Sequence, residues 1–101
     1  MYYTYIMRCE DDSLYTGITT DVERRLKEHQ GKLNGGAKYT KGRIPINVEI
    51  VWQSDNRSLA SKLEYRIKKL SKVEKETLIL NPHLLEKLFQ EHLEIELYKL
   101  V

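Results

Sequence analysis

The chain contains a single cysteine, two prolines and no long hydrophobic run in its 101 residues. One cysteine, Cys9, excludes an intrachain disulfide and a zinc cluster built from thiolates, and it fits the reducing cytoplasm in which we expect the protein. Because Cys9 ends an apolar segment, we interpret it as a small packing residue rather than a nucleophile. No apolar stretch has the length of a membrane span and no signal-peptide pattern is present, so we expect neither membrane insertion nor secretion.

Neither sign of charge dominates, because 17 Lys and Arg face 15 Asp and Glu and the net charge is only +2. This excess is too small to indicate a nucleic-acid partner by itself. Hydrophobic residues make up 41% and charged residues 32% of the chain, a balance typical of a soluble globular protein. The length fits one domain with a modest core, since a fold of this size buries only about 60–65% of its unfolded surface.

The positive charge is concentrated between Gly31 and Arg43, a segment that holds four of the five glycines and no acidic residue. We interpret it as a flexible basic loop whose cations contact phosphates, because exposure alone does not explain such segregation of charge. A soluble connecting loop is the alternative. The predicted nucleic-acid contacts are Lys32, Lys38, Tyr39, Lys41 and Arg43.

Two tyrosine-rich segments near the N-terminus alternate in the way strands do. Alternate residues of a strand share a face, and the acidic and serine residues at positions 10–13 favour a turn. The pattern therefore predicts a hairpin with two phenols and a glycine on one shared surface. The residues on that surface are Tyr5, Met7, Tyr15, Gly17 and Thr19.

The segment after the hairpin predicts a helix and then a third strand. Residues 20–23 read Thr-Asp-Val-Glu, the form of a helix capping box, and begin a helix that ends near residue 30. Arg25 and His29 are then neighbours one turn apart. Apolar and polar residues alternate over residues 46–53, which predicts a strand with one apolar face.

Helices account for the rest of the predicted fold. Apolar residues at helical spacing over positions 59–70 predict one helix, and a capping box at residues 71–74 begins a shorter one. From His83 onward the leucines predict a broad amphipathic helix that packs on its own domain, with a homodimer or protein interface as the alternative. The expected fold class is α/β (α+β) in β-β-α-β-α order. Residues 1–80 form a small, mainly antiparallel three-stranded sheet with flanking helices, and residues 81–101 form a C-terminal helical extension.

The tyrosines, the helix arginine and a later glutamate follow the order of a known motif set. This arrangement resembles the GIY-YIG nuclease family, and in particular its small single-domain bacterial branch, the UPF0213 or YhbQ-like group. Tyr5 matches the tyrosine of the first family motif, and the Tyr-Thr-Gly run that starts at Tyr15 matches the second. The family's arginine and metal-binding glutamate match Arg25 and Glu64, and His29 matches a position that often carries His or Tyr. The resemblance covers about three quarters of the chain, and the ordered combination is far more specific than any single motif.

The resemblance implies hydrolysis of phosphodiester bonds with one divalent metal ion. Glu64 would hold Mg²⁺ or Mn²⁺ together with several waters, because these hard cations favour oxygen ligands. Arg25 would face the non-bridging phosphate oxygens. Tyr5 and Tyr15 would position the attacking water, with Tyr15 as the candidate general base and His29 assisting.

Glu64 is informative on physical grounds as well. It lies beside the apolar stripe of its predicted helix, between Ala60 and Ile67, so its carboxylate is expected to be partly desolvated. Such a carboxylate needs a cation, and that cation is either a metal ion or a basic side chain such as Lys68.

The predicted function is metal-dependent endonucleolytic hydrolysis of DNA, with repair and the processing of branched or damaged DNA among the roles we consider. A nucleic-acid-binding module without catalysis, for DNA or RNA, is the main alternative. A third interpretation is a protein-interaction adaptor that acts through its C-terminal helix.

Overall fold

The structure is a computed structural model that describes residues 1–31 and 43–101. The strands are β1 (Tyr2–Cys9), β2 (Leu14–Thr19), β3 (Pro45–Ser54) and β4 (Lys99–Leu100). The helices are α1 (Val22–His29), α2 (Arg57–Lys68), α3 (Lys72–Leu80) and α4 (Leu84–Phe89), and a 3₁₀ turn covers Ile95–Leu97. The described strands form one antiparallel sheet in the order β2-β1-β3-β4. The α+β class is confirmed, with one strand more than the three predicted.

Strands β1 and β2 form the predicted hairpin. Tyr5 lies opposite Gly17, and Met7 lies opposite Tyr15. Asp12 adopts a positive φ of 69° at the turn, where short polar residues are the non-glycine residues that best tolerate this conformation. The prediction that both phenols and the glycine share one surface is therefore confirmed.

The two faces of the sheet are covered by different helices. On one face, the Thr4 hydroxyl donates to the Ala60 carbonyl at 3.1 Å, and Ile6 packs with Leu63 in the main hydrophobic core, so α2 covers this face. The alternate residue Tyr5 points to the other face and reaches His29 of α1. The side of the sheet that α1 covers is called the α1 face.

Helix starts follow the capping signals, with one shift. Ser71 and Glu74 form the predicted capping box of α3. At α1 the prediction that Thr20 is the cap is wrong, because the Asp21 carboxylate accepts from the Arg24 amide at 3.0 Å. Aspartate is at least as good a cap as threonine, so the helix begins one residue later.

The predicted long helix from His83 onward is wrong beyond Phe89. After α4 the chain makes the 3₁₀ turn and then pairs as β4 along β3, with Trp52 opposite Leu100. Tyr98 and Phe89 are buried in the same core as Ile6. The leucine periodicity therefore reports burial of this segment rather than continuous helix. No helix in the described residues has the length and apolar character required to cross a bilayer.

An ion-pair network ties α3 to the hairpin. The Arg8 guanidinium donates two hydrogen bonds of 2.6 Å to the two carboxylate oxygens of Glu76, and it also lies 3.4 Å from Glu49 and 3.2 Å from Asp12. Lys72 reaches Asp12 at 3.2 Å from the side of α3. This network fixes the end of the sheet opposite to the start of α1.

Candidate active site

Gly17 makes room for the ring of Tyr5. A Cβ atom at position 17 would collide with the Tyr5 hydroxyl and lie 2.7 Å from Tyr5 Cζ, closer than real Cβ contacts allow. The absence of a side chain at Gly17 therefore allows the Tyr5 ring to pack directly against the backbone of β2, and Tyr5 is fully buried there. This close approach gives a physical reason for Tyr and Gly on paired strands.

A cluster of aromatic rings extends from Tyr5 to the surface. The Tyr5 hydroxyl lies 3.5 Å from His29 Nε2, and the Tyr15 ring meets His29 edge-on with ring centroids 4.9 Å apart. The two tyrosine rings are 6.2 Å apart, centroid to centroid. Tyr5 and His29 are buried, whereas Tyr15 is partly exposed. Of the two phenols, Tyr15 is therefore the one that solvent reaches in this structure.

Arg25 joins this cluster from the same face of α1. Burial acts to lower the pKa of Arg25, but hydrogen bonds with the Tyr5 hydroxyl and the Glu28 carboxylate outweigh it and raise the pKa above its ordinary value. Arg25 Nη1 lies 3.2 Å from Glu28 Oε1. Arg25 thus carries a permanent charge held between a phenol and a carboxylate.

His29 is the neutral member of the cluster. Burial, and then the positive charge of Arg25, lower the pKa of His29 below its ordinary value, so the ring is uncharged at neutral pH. Because Arg25 can only donate, the Tyr5 hydroxyl accepts from it and is left to donate its own proton to His29 Nε2. Within the described residues, His29 Nδ1 and Arg25 Nε are buried without a hydrogen-bond partner. Such unsatisfied groups are rare in folded proteins and call for an explanation, of which a catalytic role is one.

Glu64 lies apart from this cluster on α2, which covers the opposite face of the sheet. Its side chain is 23% exposed, and its carboxylate is 3.2 Å from Lys68 Nζ. The basic partner considered from the sequence is therefore observed. α2 also packs on β2, which is an edge strand among those described, so Glu64 can approach the α1 face only around that edge.

A polar groove marks the place where the two faces meet. It has a volume of about 250 Å³ and is lined by Arg24, Arg25 and Glu28 of α1, by residues of β2, and by Arg57 of α2. Arg57 and Glu64 lie on one side of α2, two turns or about 10 Å apart. The sequence analysis missed Glu28 and Arg57. No local pattern in the sequence indicated that Arg57 lies near Arg25. Glu28 could have been predicted, because residues three positions apart on a helix are neighbours and Glu28 follows Arg25 by three.

The predicted basic loop lies mostly outside the described residues, which exclude Lys32, Lys38, Tyr39 and Lys41. Arg43 is described, and its Nε atom lies 3.6 Å from the Asp11 carboxylate at the hairpin turn, with both side chains exposed. Residues 1–31 and 43–101 contain no group of three or more His, Cys, Asp or Glu side chains that could hold a metal ion. One carboxylate with water ligands is still enough for Mg²⁺, and Glu64 offers one.

Comparisons with known proteins agree with the motif order. A family model described as the GIY-YIG catalytic domain matches residues 1–77. The chain therefore belongs to the GIY-YIG family, a family of nucleases.

Its relatives are proteins of the UPF0213 group. One from Halobacterium salinarum is 46% identical over 78 residues, which cover 77% of this chain and 99% of the relative. One from Oceanobacillus iheyensis is 52% identical over 79 residues, covering 77% and 88%. The solution NMR structure of a UPF0213 protein from Bacillus halodurans matches with a TM-score of 0.50 and 42% identity, over 92% of this chain and 99% of that one. The resemblance to the UPF0213 group is confirmed, and its members occur in archaea as well as bacteria.

Proposed function

We propose that the chain is a metal-dependent endonuclease that hydrolyses phosphodiester bonds of DNA. The observation that carries this proposal is the cluster in which Arg25, held by Tyr5 and Glu28, stands beside a neutral His29 and a partly exposed Tyr15. A fixed cation, a proton acceptor and a phenol in one place match the demands of phosphodiester hydrolysis.

Each residue has a role that follows from its contacts. Arg25 faces the non-bridging oxygens of the scissile phosphate, because its guanidinium is planar and permanently charged. Tyr15 is the group that orients water and takes its proton, because it is the phenol that solvent reaches. Tyr5 is buried and acts through its neighbours, positioning Arg25 and His29 rather than touching the substrate.

Glu64 is the residue that would hold Mg²⁺ or Mn²⁺. Two observations support a metal ion at Glu64. Its carboxylate is partly exposed and already pairs with the cation of Lys68, and it lies two helical turns from Arg57 in the groove. A hard divalent ion keeps several waters and needs few protein carboxylates. When bound, such an ion supplies charge neutralisation at the phosphate and the leaving oxygen.

The test is cleavage of labelled linear, branched and damaged DNA, with an RNA duplex beside them, in Mg²⁺, in Mn²⁺ and in a chelator. Glu64→Gln keeps the size of the side chain and removes the charge, so we expect cleavage to be lost while metal-free DNA affinity is kept. Glu86→Gln is the matched control, because Glu86 is exposed on α4 and does not line the groove of Arg25 and Arg57.

Two results would reject the assignment. A folded Glu64→Gln protein that cleaves with the wild-type metal dependence would remove Glu64 as the metal ligand. If wild type binds DNA but never cleaves it, and Glu64→Gln lowers only thermal stability, then Glu64 is a structural partner of Lys68 and the chain is a binding module.

A further inference from the structure

The exposed side of α2 carries far more positive charge than the chain as a whole. Within Arg57–Lys68 there are four cationic residues and one carboxylate, and Lys69 follows directly, while the entire chain has a net charge of only +2. Glu64 and Lys68 neutralise each other on one side of the helix. Of the other cations, Arg57 lines the groove beside Arg25, whereas Lys62 and Arg66 lie on another side of the helix.

A cleft follows this positive side. The α2 cleft is bounded by Ser58, Lys62, Tyr65 and Arg66 of α2 and by His92 and Leu93 after α4. Its volume of about 490 Å³ lies in the range of about 300–1,000 Å³ that is usual for ligand sites. None of its described lining residues is acidic, so the cleft concentrates a positive potential.

The Tyr65 ring contacts two cationic side chains. The residue is 55% exposed, and Lys69 Nζ and Arg66 Cζ lie 4.5 Å and 5.5 Å from the centroid of its ring. Across the part of the chain that the structure describes, no carboxylate lies within ion-pair distance of Lys62, Arg66 or Lys69. By contrast, Arg8, Arg24, Arg25 and Lys72 each have a carboxylate partner. The cleft and the adjoining Lys69 thus carry three cations without a carboxylate partner, and two of them, Arg66 and Lys69, lie against the Tyr65 ring.

We propose that the α2 cleft binds the phosphates of a nucleic-acid strand outside the α1 face. Lys62 and Lys69 are separated by about 10 Å along the helix, since each residue adds about 1.5 Å. Successive phosphates of one strand advance by about 3.4 Å along the duplex axis, so the cations from Lys62 in the cleft to the adjoining Lys69 span about three of them. The cations and the serine hydroxyls are the usual partners of phosphate oxygens.

This inference rests on the proposed function, because it assigns a second contact to the same substrate. Glu64 is adjacent to Tyr65 in α2, and Arg57 at the start of this helix lines the groove shared with Arg25. A strand held in the cleft would therefore run along α2 toward the metal-binding carboxylate. The cleft anchors the substrate and takes no part in bond breaking.

The test compares two double variants with the same change in net charge. Lys62→Gln with Arg66→Gln removes two cations from the cleft, whereas Lys87→Gln with Lys99→Gln removes two exposed cations elsewhere. Metal-free affinity for a short labelled DNA duplex, and for an RNA duplex of the same sequence, is measured over a range of salt concentrations. We expect the cleft variant to flatten the slope of log affinity against log salt by about 2 and the control variant to leave it unchanged, because each phosphate contact contributes about 0.9.

A second variant guards against a folding defect. Ser58→Glu adds a negative charge to the cleft in the first turn of α2, where acidic residues favour the helix, so affinity should fall while thermal stability is kept. Cleavage at saturating DNA should be unchanged in all cleft variants, so that the loss lies in KM and not in kcat.

The outcomes separate the two proposals. If wild type binds and cleaves DNA but the cleft and control variants have equal salt slopes, the cleft is rejected and the nuclease stands. The same holds if the cleft variants lose kcat as strongly as affinity, since the cleft would then not be a pure anchor. If wild type binds neither DNA nor RNA at low salt, both proposals fail together.

Discussion

Replacing Gly17 by alanine should destabilise the fold through one contact, the one with Tyr5. The new Cβ would lie 2.7 Å from Tyr5 Cζ and closer still to the hydroxyl, and ordinary contact begins at 3.4 Å, so the ring must retreat by at least 0.7 Å. Tyr5 is fully buried, so the ring can move only by displacing its neighbours in a closely packed interior. Overpacking of this kind costs about 1–3 kcal/mol. Alanine restores about 0.5–1 kcal/mol of backbone entropy in a strand.

The expected net effect is a loss of about 1–2 kcal/mol in the free energy of unfolding, which corresponds to a fall in Tm of about 5–15 °C for a domain of this size. Thermal and urea unfolding followed by circular dichroism measure it. Tyr5→Phe removes the atom nearest to the new Cβ, so Gly17→Ala should cost at least about 0.5 kcal/mol less in the Tyr5→Phe background.

Gly31→Ala is the matched control. Among the residues that the structure describes, nothing lies within 4 Å of a Cβ at position 31, and the backbone there has a φ of +77°, so we expect a cost of about 1–2 kcal/mol from the left-handed conformation. That cost should be identical with and without Tyr5→Phe. Two results would contradict this reasoning. Either Gly17→Ala is as stable as wild type, or its cost is the same with and without Tyr5→Phe while Gly31→Ala behaves as expected. In both cases the close packing of Tyr5 would not be the reason for a glycine at position 17.

Three further predictions follow from contacts of the site and of the ion-pair network. Arg25→Ala should lower the single-turnover cleavage rate by about 10²–10³, as expected for removal of a fixed hydrogen-bond donor. Arg25→Lys should recover little of that rate, because lysine lacks the planar guanidinium. Full rescue by lysine would contradict this role of the guanidinium. Tyr15→Phe should slow cleavage more than Tyr5→Phe does, because Tyr15 is the phenol that solvent reaches, and the reverse order in single-turnover assays would exchange their roles. Glu76→Gln should cost about 1–2 kcal/mol in urea unfolding at neutral pH through loss of the hydrogen bonds from Arg8. Those hydrogen bonds lower the pKa of Glu76 from its ordinary 4.5. The stabilisation by the ion pair is therefore complete above pH 4.5 and is lost as the pH falls through the lowered pKa. A difference in unfolding free energy between wild type and Glu76→Gln that persists in strong acid would argue against the ion pair.

Local patterns in the sequence were sufficient for the hairpin and the helix starts. Side chains alternate along a strand whatever surrounds it, so the shared face of Tyr5, Tyr15 and Gly17 followed from their spacing. The capping box at Ser71 and Glu74 is likewise satisfied within a single turn. The order of the family motifs is visible in the sequence without any knowledge of the fold, and it was sufficient to identify the family.

The tertiary structure alone decided what these residues contact. That Tyr5 is buried while Tyr15 is partly exposed, and that Arg25 is held by the Tyr5 hydroxyl, depends on how α1 packs on the sheet. Glu64 and its helix lie on the other face, which no periodicity reveals.

The C-terminal segment shows the same limit. Its leucines repeat as in a helix, yet β3 offers unpaired backbone groups along its edge, and Val101 donates its amide to the Val51 carbonyl at 3.0 Å. Backbone hydrogen bonds between residues 50 positions apart outweigh a local helical preference worth less than about 1 kcal/mol per residue. Such pairing is determined by the assembled sheet and not by the segment, which is why the sequence predicted a helix where the structure has a turn and a strand.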